Sequence, residues 1–256
     1  TFGCQMNAYD SQLAAGILGS EGFEVISEAD DPEERIDSEG KPKLSQGADI
    51  VLMNTCSVRD HAEERVWGRL GMLGKEKKEN PELIIGLMGC MVEEHREQLF
   101  KRFPQLDLLV GTRNIKDLPE LIRKVLEARK QVTLAPVRED CSVRAKGQSV
   151  PRIARIKQEG ISIEYSEFTK HEANGHAWLP IMTGCDKVCT FCIVPITRGA
   201  EVSIPAEQVF REAKRLVAIG VKWITLLGQN VNSYSSHEPR TTGDEQKSWN
   251  ADRGAW

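Results

Sequence analysis

Along the first 130 residues the apolar positions switch repeatedly between two spacings. The segment DSQLAAGILGSEG (10–22) opens on a capping aspartate, sets Leu13, Ile17 and Leu18 on one face at helical spacing and stops at Gly22, which predicts a helix. Short continuous apolar runs at 23–26, 49–53, 83–88 and 106–110 read as strands, and helical patterns at 59–73, 93–103 and 115–128 alternate with them. Strand alternating with helix implies an α/β domain on an open parallel sheet, assigned to residues 1–130. Residues 28–46 turn polar and acidic with two prolines and read as a solvated surface insertion.

A second periodic block starts near residue 177. An apolar run at 178–182 leads into GCDKVCTFC. Residues 206–219 then show helical spacing with Val209, Ala213, Leu216 and Val217 as one stripe, Gly220 ends the helix, and 223–227 reads as the next buried strand. Strand, cysteine loop, helix and strand make one unit of a barrel-like array, in which active sites lie on loops at the carboxyl ends of strands. The cysteine loop and the GQNVNSY loop (228–234) both fall on that face. Residues 131–176 read as a polar linker or insertion, 177–236 as the start of the second domain, and 237–256 as an aberrant or disordered tail without apolar periodicity.

Composition narrows the chemistry. The chain has 256 residues, 40% of them hydrophobic, enough for real cores without disulfide staples. Seven cysteines make an odd count, three of them sit within one short loop, and no secretory leader is visible, although the chain begins at Thr1 and not at methionine. A reducing compartment and metal ligation therefore fit better than cystine bridges. No apolar run approaches the roughly 20 residues that cross a bilayer. The net charge of −4 exerts no global attraction on phosphate, so any contact with nucleic acid must come from local basic patches.

Cys4 in FGCQMN, Cys56 in NTCSVR and Cys90 in MGCMVE each follow a strand or a presumed strand. Loops leaving the carboxyl ends of parallel strands converge on one edge, so three thiols from distant sequence can meet there. Gly3, Gly89 and the Asn54–Thr55 pair would allow the close backbone approach that a bulky cofactor needs. Three ordinary core cysteines are an equal reading of that pattern. Cys185, Cys189 and Cys192, spaced CxxxCxxC, carry a sharper signal. Three thiolates hold three irons of a 4Fe-4S cube and leave the fourth iron open to chelate S-adenosylmethionine, whereas ferredoxin spacings bring a fourth cysteine that closes the cluster. The competing reading is a zinc site with Cys141, His171 or His176 as fourth ligand, although structural zinc usually pairs its ligands as CxxC. Phe191 in the loop either screens a cluster from water or simply packs. Cys141 is left over as a plain thiol.

Taken together, TFGCQMN, NTCSVRDHAEERVWGRLG, GLMGC, GCDKVCTFCIVP, TRG and LLGQNVNSY resemble the radical-SAM tRNA methylthiotransferase family, in its MiaB branch, over nearly all of residues 1–236. FGCQMN with NTCSVR is similar to the branch acting on isopentenyl-adenosine. The branch acting on threonylcarbamoyl-adenosine usually has a lysine in the first motif and NTCTVT in the second. The resemblance implies a methylthiotransferase domain followed by the first part of a radical-SAM partial TIM barrel. It implies two 4Fe-4S clusters, an auxiliary one on Cys4, Cys56 and Cys90 whose open iron carries sulfur, and a radical-generating one on Cys185, Cys189 and Cys192 that takes S-adenosylmethionine. The implied product is a methylthio group on C2 of the adenosine next to the anticodon (position 37). Arg198, Glu201, Gln229 and Asn230 are the implied cofactor-binding residues. The implied partners are the tRNA anticodon stem-loop, an external electron donor of flavodoxin or ferredoxin type and a sulfur donor, for a cytoplasmic monomer with no membrane association.

Three positions depart from the family pattern, which usually has Glu where Thr183 stands, Tyr where Ile196 stands and Arg where Ile204 stands. The family's further barrel strands and small RNA-binding barrel have no counterpart after residue 236. An exposed sheet edge and bare apolar faces on the βα unit are therefore expected. The alternative reading is accordingly an inactive fragment or an iron–sulfur protein without tRNA turnover; a methylthiotransferase of another substrate branch is a third.

Overall fold

The computed structural model describes residues 1–26, 44–45, 47–57, 60–133, 152–156, 165, 169 and 175–235. Most of the expected insertion at 28–46, Cys141, His171 and the tail at 237–256 lie outside these residues. In the first half the chain forms α1 (Gln5–Ser20), β1 (Ile50–Thr55), α2 (Asp60–Glu79), β2 (Ile84–Gly89), α3 (Cys90–His95), α4 (Gln98–Arg102), β3 (Leu108–Val110) and α5 (Leu118–Thr133). The strands pair in parallel in the order β1-β2-β3, and β4 (Ile153–Arg155) adds a fourth parallel strand beyond β3. This is the expected α/β domain with an open parallel sheet. One of its strands comes from the stretch read as a linker.

IIGLMG is apolar without alternation because β2 is buried along its whole length, with helices on both faces of the sheet. Ile85 and Leu87 pack with Val66, Leu70 and Leu73 of α2 and with Met91 and Leu99 of α3 and α4. Met88, Leu108 and Val110 pack on the other face with Met6, Tyr9 and Leu13 of α1 and with Leu121 and Ile122 of α5. Each fully buried leucine or isoleucine stabilises the fold by about 1.5–3 kcal/mol. The Asp107 carboxylate, 1% exposed, accepts from the Ile85 amide at 2.8 Å and from Arg129 at 2.9 Å, and it also pairs with Lys77.

Several expectations shift. The first helix begins at Gln5, directly after Cys4, not at residue 10, and the run at 23–26 forms no strand. Phe23 and Val25 instead pack irregularly beside the α1–α5 core. The outer place next to β1 goes to Phe2, whose amide donates to the Asn54 carbonyl at 2.8 Å and whose carbonyl accepts from Cys56 at 2.9 Å. The helix expected at 93–103 is two short helices, because Arg96 turns the backbone to φ +47° between them.

The second half contains β5 (His176–Pro180), β6 (Met182–Thr183), α6 (Val194–Thr197), β7 (Val202–Ser203), α7 (Ala206–Ala218) and β8 (Trp223–Leu227). β5 and β8 pair in parallel with α7 as the crossover, and β6 and β7 pair antiparallel. Val209, Ala213 and Leu216 pack on Ala177, Leu179 and Met182, whereas Val217, expected in the same stripe, is 63% exposed. β8 is not the buried strand expected. Among the described residues β5 is its one neighbour, and Trp223 and Leu226 are 59% and 52% exposed. Leu227 and Trp178 reach the α1 core, so the two halves share apolar contacts. No helix among the described residues is long and apolar enough to cross a membrane.

Candidate functional site

Register explains how the first three cysteines meet. Thr55 lies opposite Gly89 across β1 and β2, and Phe2 lies opposite Thr55 on the outer side. Cys56 and Cys90 follow Thr55 and Gly89 directly, and Cys4 follows Phe2 by two residues. Adjacent strands are about 4.8 Å apart, so three consecutive strand ends deliver three sulfurs to one edge. Cys4 caps α1 and Cys90 opens α3. The backbone there leaves no room for larger residues. A Cβ on Gly3 would stand 2.7 Å from Cys56 Cβ, and one on Gly89, at φ +100°, would stand 2.4 Å from the Thr55 carbonyl oxygen.

The electrostatics favour thiolates. The Cys56 thiol, hydrogen-bonded to its neighbours on both sides, is the largest influence in bringing Cys4 from 9.0 down to about 5 and Cys90 to about 6, against the upward push of burial. Arg198 lowers both further. Thiolate is the form that ligates iron. Asn7 Oδ1 lies 3.3 Å from both the Cys4 amide nitrogen and the Cys4 sulfur. A soft, anionic, half-enclosed set of three sulfurs with glycine at its walls fits a cubane held by three cysteines.

The second trio lies on the loop between β6 and α6. Cys185 is buried and its amide donates to the Gly199 carbonyl at 3.1 Å, while Cys189 and Cys192 are exposed and joined by a Cys192 amide to Cys189 carbonyl bond of 3.1 Å. Phe191 is fully exposed, so it does not pack against the described residues. The loop leaves the end of the β5–β6 segment, and the loop carrying Gln229 and Asn230 leaves β8, with Pro180 opposite Leu227. Both therefore occupy one edge. Gln229 Oε1 is buried without a hydrogen-bond partner among the described residues, and Asn230 Nδ2 donates to Ser233 Oγ at 2.6 Å. The Glu201 amide donates to Asp186 Oδ1 at 2.9 Å; burial and then the Asp186 charge push the Glu201 carboxyl up.

Arg198 lies elsewhere than its neighbours in sequence suggest. It is 5% exposed, donates to Asp10 Oδ2 at 2.6 Å, and also donates to the Cys90 sulfur. Burial alone would favour its neutral form, but Asp10 and Cys90 outweigh that and raise its pKa. The structure thus brings Arg198 to the first trio, and Glu201, Gln229 and Asn230 to the side of the second.

A tetrahedral zinc site would hold its sulfurs about 3.8 Å apart, given Zn–S bonds of about 2.3 Å. Among the described residues only Glu63, Glu94 and His95 place three ligand atoms within 4.8 Å of one another, and neither cysteine trio is that tight. His176, considered as a fourth zinc ligand, bonds Thr225 Oγ1 at 2.8 Å and sits edge-on to Trp178.

Residues 1–111 match the model of the uncharacterized protein family UPF0004. Proteins named tRNA-2-methylthio-N(6)-dimethylallyladenosine synthase are similar over 91% of this chain. The one from Carboxydothermus hydrogenoformans is 40% identical over 236 residues, that of Symbiobacterium thermophilum 42% over 236, and that of Bacillus subtilis 37% over 236. Over that shared stretch the chain is similar to tRNA methylthiotransferases. It spans 45%, 43% and 39% of those three relatives' lengths.

At the three positions that depart from the methylthiotransferase pattern, Thr183 and Ile204 are buried at 5% and 4% exposure, and Ile196 is half-exposed on α6. Directly after β7, the Ile204 amide donates a hydrogen bond to the Ile181 carbonyl at 2.8 Å, at the end of the β6–β7 pairing. Sequence reasoning missed Asn7 and Asp10, buried at 0% and 5% exposure on α1. Their signal was present as two polar residues inside an otherwise apolar helix face, but the late placement of the helix start hid it.

Proposed function

We propose that this chain carries the cluster-binding part of a tRNA methylthiotransferase, with Cys4, Cys56 and Cys90 holding an auxiliary 4Fe-4S cluster and Cys185, Cys189 and Cys192 a radical-SAM 4Fe-4S cluster. The observation that carries it is the delivery of Cys4, Cys56 and Cys90 to three consecutive strand ends with two of the thiols drawn down toward thiolate. When bound, the two clusters and S-adenosylmethionine supply the radical and the sulfur for methylthiolation at C2 of isopentenyl-adenosine next to the anticodon.

The chain's own residues bind and orient. Three cysteines per cluster leave one iron without a protein ligand. Gly3 and Gly89 let the backbone approach the auxiliary cluster closely. The exposed Cys189 and Cys192 leave their loop open to a nucleoside-bearing cofactor, with Gln229, Asn230 and Glu201 beside it as polar contacts. The substrate is a tRNA anticodon stem-loop, whose target base must leave its stack to reach the site. The reading includes work in the cytoplasm as a monomer, with an external electron donor of flavodoxin or ferredoxin type for the radical chemistry and a sulfur donor for the transferred group.

Anaerobic reconstitution with iron and sulfide counting tests the reading. The parent should hold two cubanes' worth of iron, and Ala replacement of either cysteine trio should halve it. A colourless parent, or one holding a single zinc ion, would remove the basis of the proposal. Mass spectrometry of tRNA from a complemented strain lacking the modification then separates a working methylthiotransferase from a cluster protein without turnover.

A further inference from the structure

One arginine from the second half crosses into the first. Arg198 follows α6, the short helix after the second cysteine loop, and lies 188 residues along the chain from Asp10 on α1. Its Nη2 donates to Asp10 Oδ2 at 2.6 Å, with side-chain exposures of 5% and 7%, and the guanidinium also donates to the Cys90 sulfur. Its backbone is held as firmly. Arg113 Nη2 donates to the Arg198 carbonyl at 2.9 Å, and Thr112 Oγ1 donates to the Thr197 carbonyl at 3.0 Å. The Thr112 amide is itself anchored at 2.9 Å by Glu93 Oε1, three residues past Cys90. A buried ion pair of this kind adds little net stability, because desolvation cancels most of the Coulombic gain, so stability alone does not account for it.

We propose that Arg198, held by Asp10, is a positioning residue that keeps a permanent positive charge against the cluster site of Cys4, Cys56 and Cys90 and so favours the reduced state of that cluster. This rests on the reading of the first trio as a 4Fe-4S site. A cube bound by three thiolates is anionic, and one further electron makes it more so; a fixed cation in a dry site, hydrogen-bonded to a ligand sulfur, stabilises the more negative form. Arginine serves because its guanidinium stays charged even when buried. The charge also reaches the first trio only when the second half is docked. The electron affinity of one cluster is thereby tied to the placement of the loop that holds the other.

The full chain, reconstituted anaerobically in a Cys185→Ala, Cys189→Ala, Cys192→Ala background, presents the auxiliary cluster alone. Redox titration read by electron paramagnetic resonance gives the midpoint of its one-electron couple. Arg198→Met should move that midpoint to more negative potential, and Arg198→Lys, which keeps the charge without the fork, should recover part of the shift. Asp10→Asn keeps an acceptor but removes the opposing charge, and should move the midpoint to more positive potential. A purely structural contact would not give opposite signs, since both changes loosen the same pair. Shifts in one direction, or none, overturn the inference, and if Arg198→Met is insoluble the sign for Asp10→Asn decides. Iron and sulfide are counted on the same samples. No cluster on the first trio overturns the site reading and this inference with it, whereas a full cluster with unmoved midpoints overturns this inference alone.

Discussion

Asn7 and Asn54 hold each other by two hydrogen bonds across 47 residues of sequence: Asn7 Nδ2 donates to Asn54 Oδ1 at 3.0 Å, and Asn54 Nδ2 donates to the Asn7 carbonyl at 2.8 Å. The first asparagine lies three residues past Cys4 and the second two residues before Cys56, so this exchange sets how the two cysteines face each other. Asn7 Nδ2 reaches the Thr55 carbonyl as well, at 3.2 Å.

Asn54→Ala strands buried polar groups on α1, and we expect it to cost about 1–3 kcal/mol of stability. Iron bound by the first trio should fall while iron on the second trio stays, because the second loop shares no hydrogen bond with Asn54. Urea denaturation together with iron counting in each trio's Ala background checks both. Undiminished iron at the first trio would show that Asn54 does not position Cys56.

Gly89→Ala places a methyl 2.4 Å from the Thr55 carbonyl oxygen in a backbone conformation of φ +100°. Strain of this kind costs about 1–3 kcal/mol and here acts beside Cys90. The expected result is a lower unfolding midpoint and a first trio that fails to take up iron. Gly68→Ala, inside α2 with nothing within 4 Å of the added Cβ, is the control and should leave iron uptake unchanged and raise the unfolding midpoint slightly.

Asp107 joins Lys77, Arg129 and the Ile85 amide away from either cysteine trio. Asp107→Ala leaves two cations facing a site without a counter-charge, and breaking a buried pair by removing one partner costs about 3–5 kcal/mol. Chemical denaturation measures it. A loss under 1 kcal/mol, about the worth of an exposed pair, would mean that water reaches the site freely.

The cluster-free chain should also show a pH signature. Cys4 and Cys90 are held at about 5 and about 6 instead of 9.0, so the folded chain carries fewer protons than the unfolded chain between those values and 9.0. Stability from this source rises with pH, is fully present above about pH 9, and is lost as pH falls through about 6 and then about 5. Denaturation of the cluster-free chain across that range should show the rise. Cys56→Ala, which removes the shared donor, should flatten it, and an unchanged slope in that variant would mean that Cys56 is not the cause.

Much of the scaffold was readable before any coordinates. Short uninterrupted apolar runs such as IIGLMG, alternating with helical patterns, fit strands covered on both faces, so the parallel sheet followed from the order of local patterns. The CxxxCxxC loop was readable for the same reason: its three thiols are neighbours along the chain and need no fold to bring them together. Elements whose boundaries depend on distant contacts were not readable. Phe2 counts as sheet only because Thr55 lies beside it, the first helix starts at Gln5 because Cys4 is held at a strand end, and residues 153–155 join the sheet only because β3 offers an open edge. The Asn7–Asn54 exchange and the reach of Arg198 to Asp10 are of this second kind, whereas the places of Cys4, Cys56 and Cys90 after strands or presumed strands left their meeting open as one of two readings, and register decided it. Spacing along a chain records what neighbours in sequence can do together; contacts spanning dozens to nearly two hundred residues exist once register and packing have closed, and no local pattern encodes them.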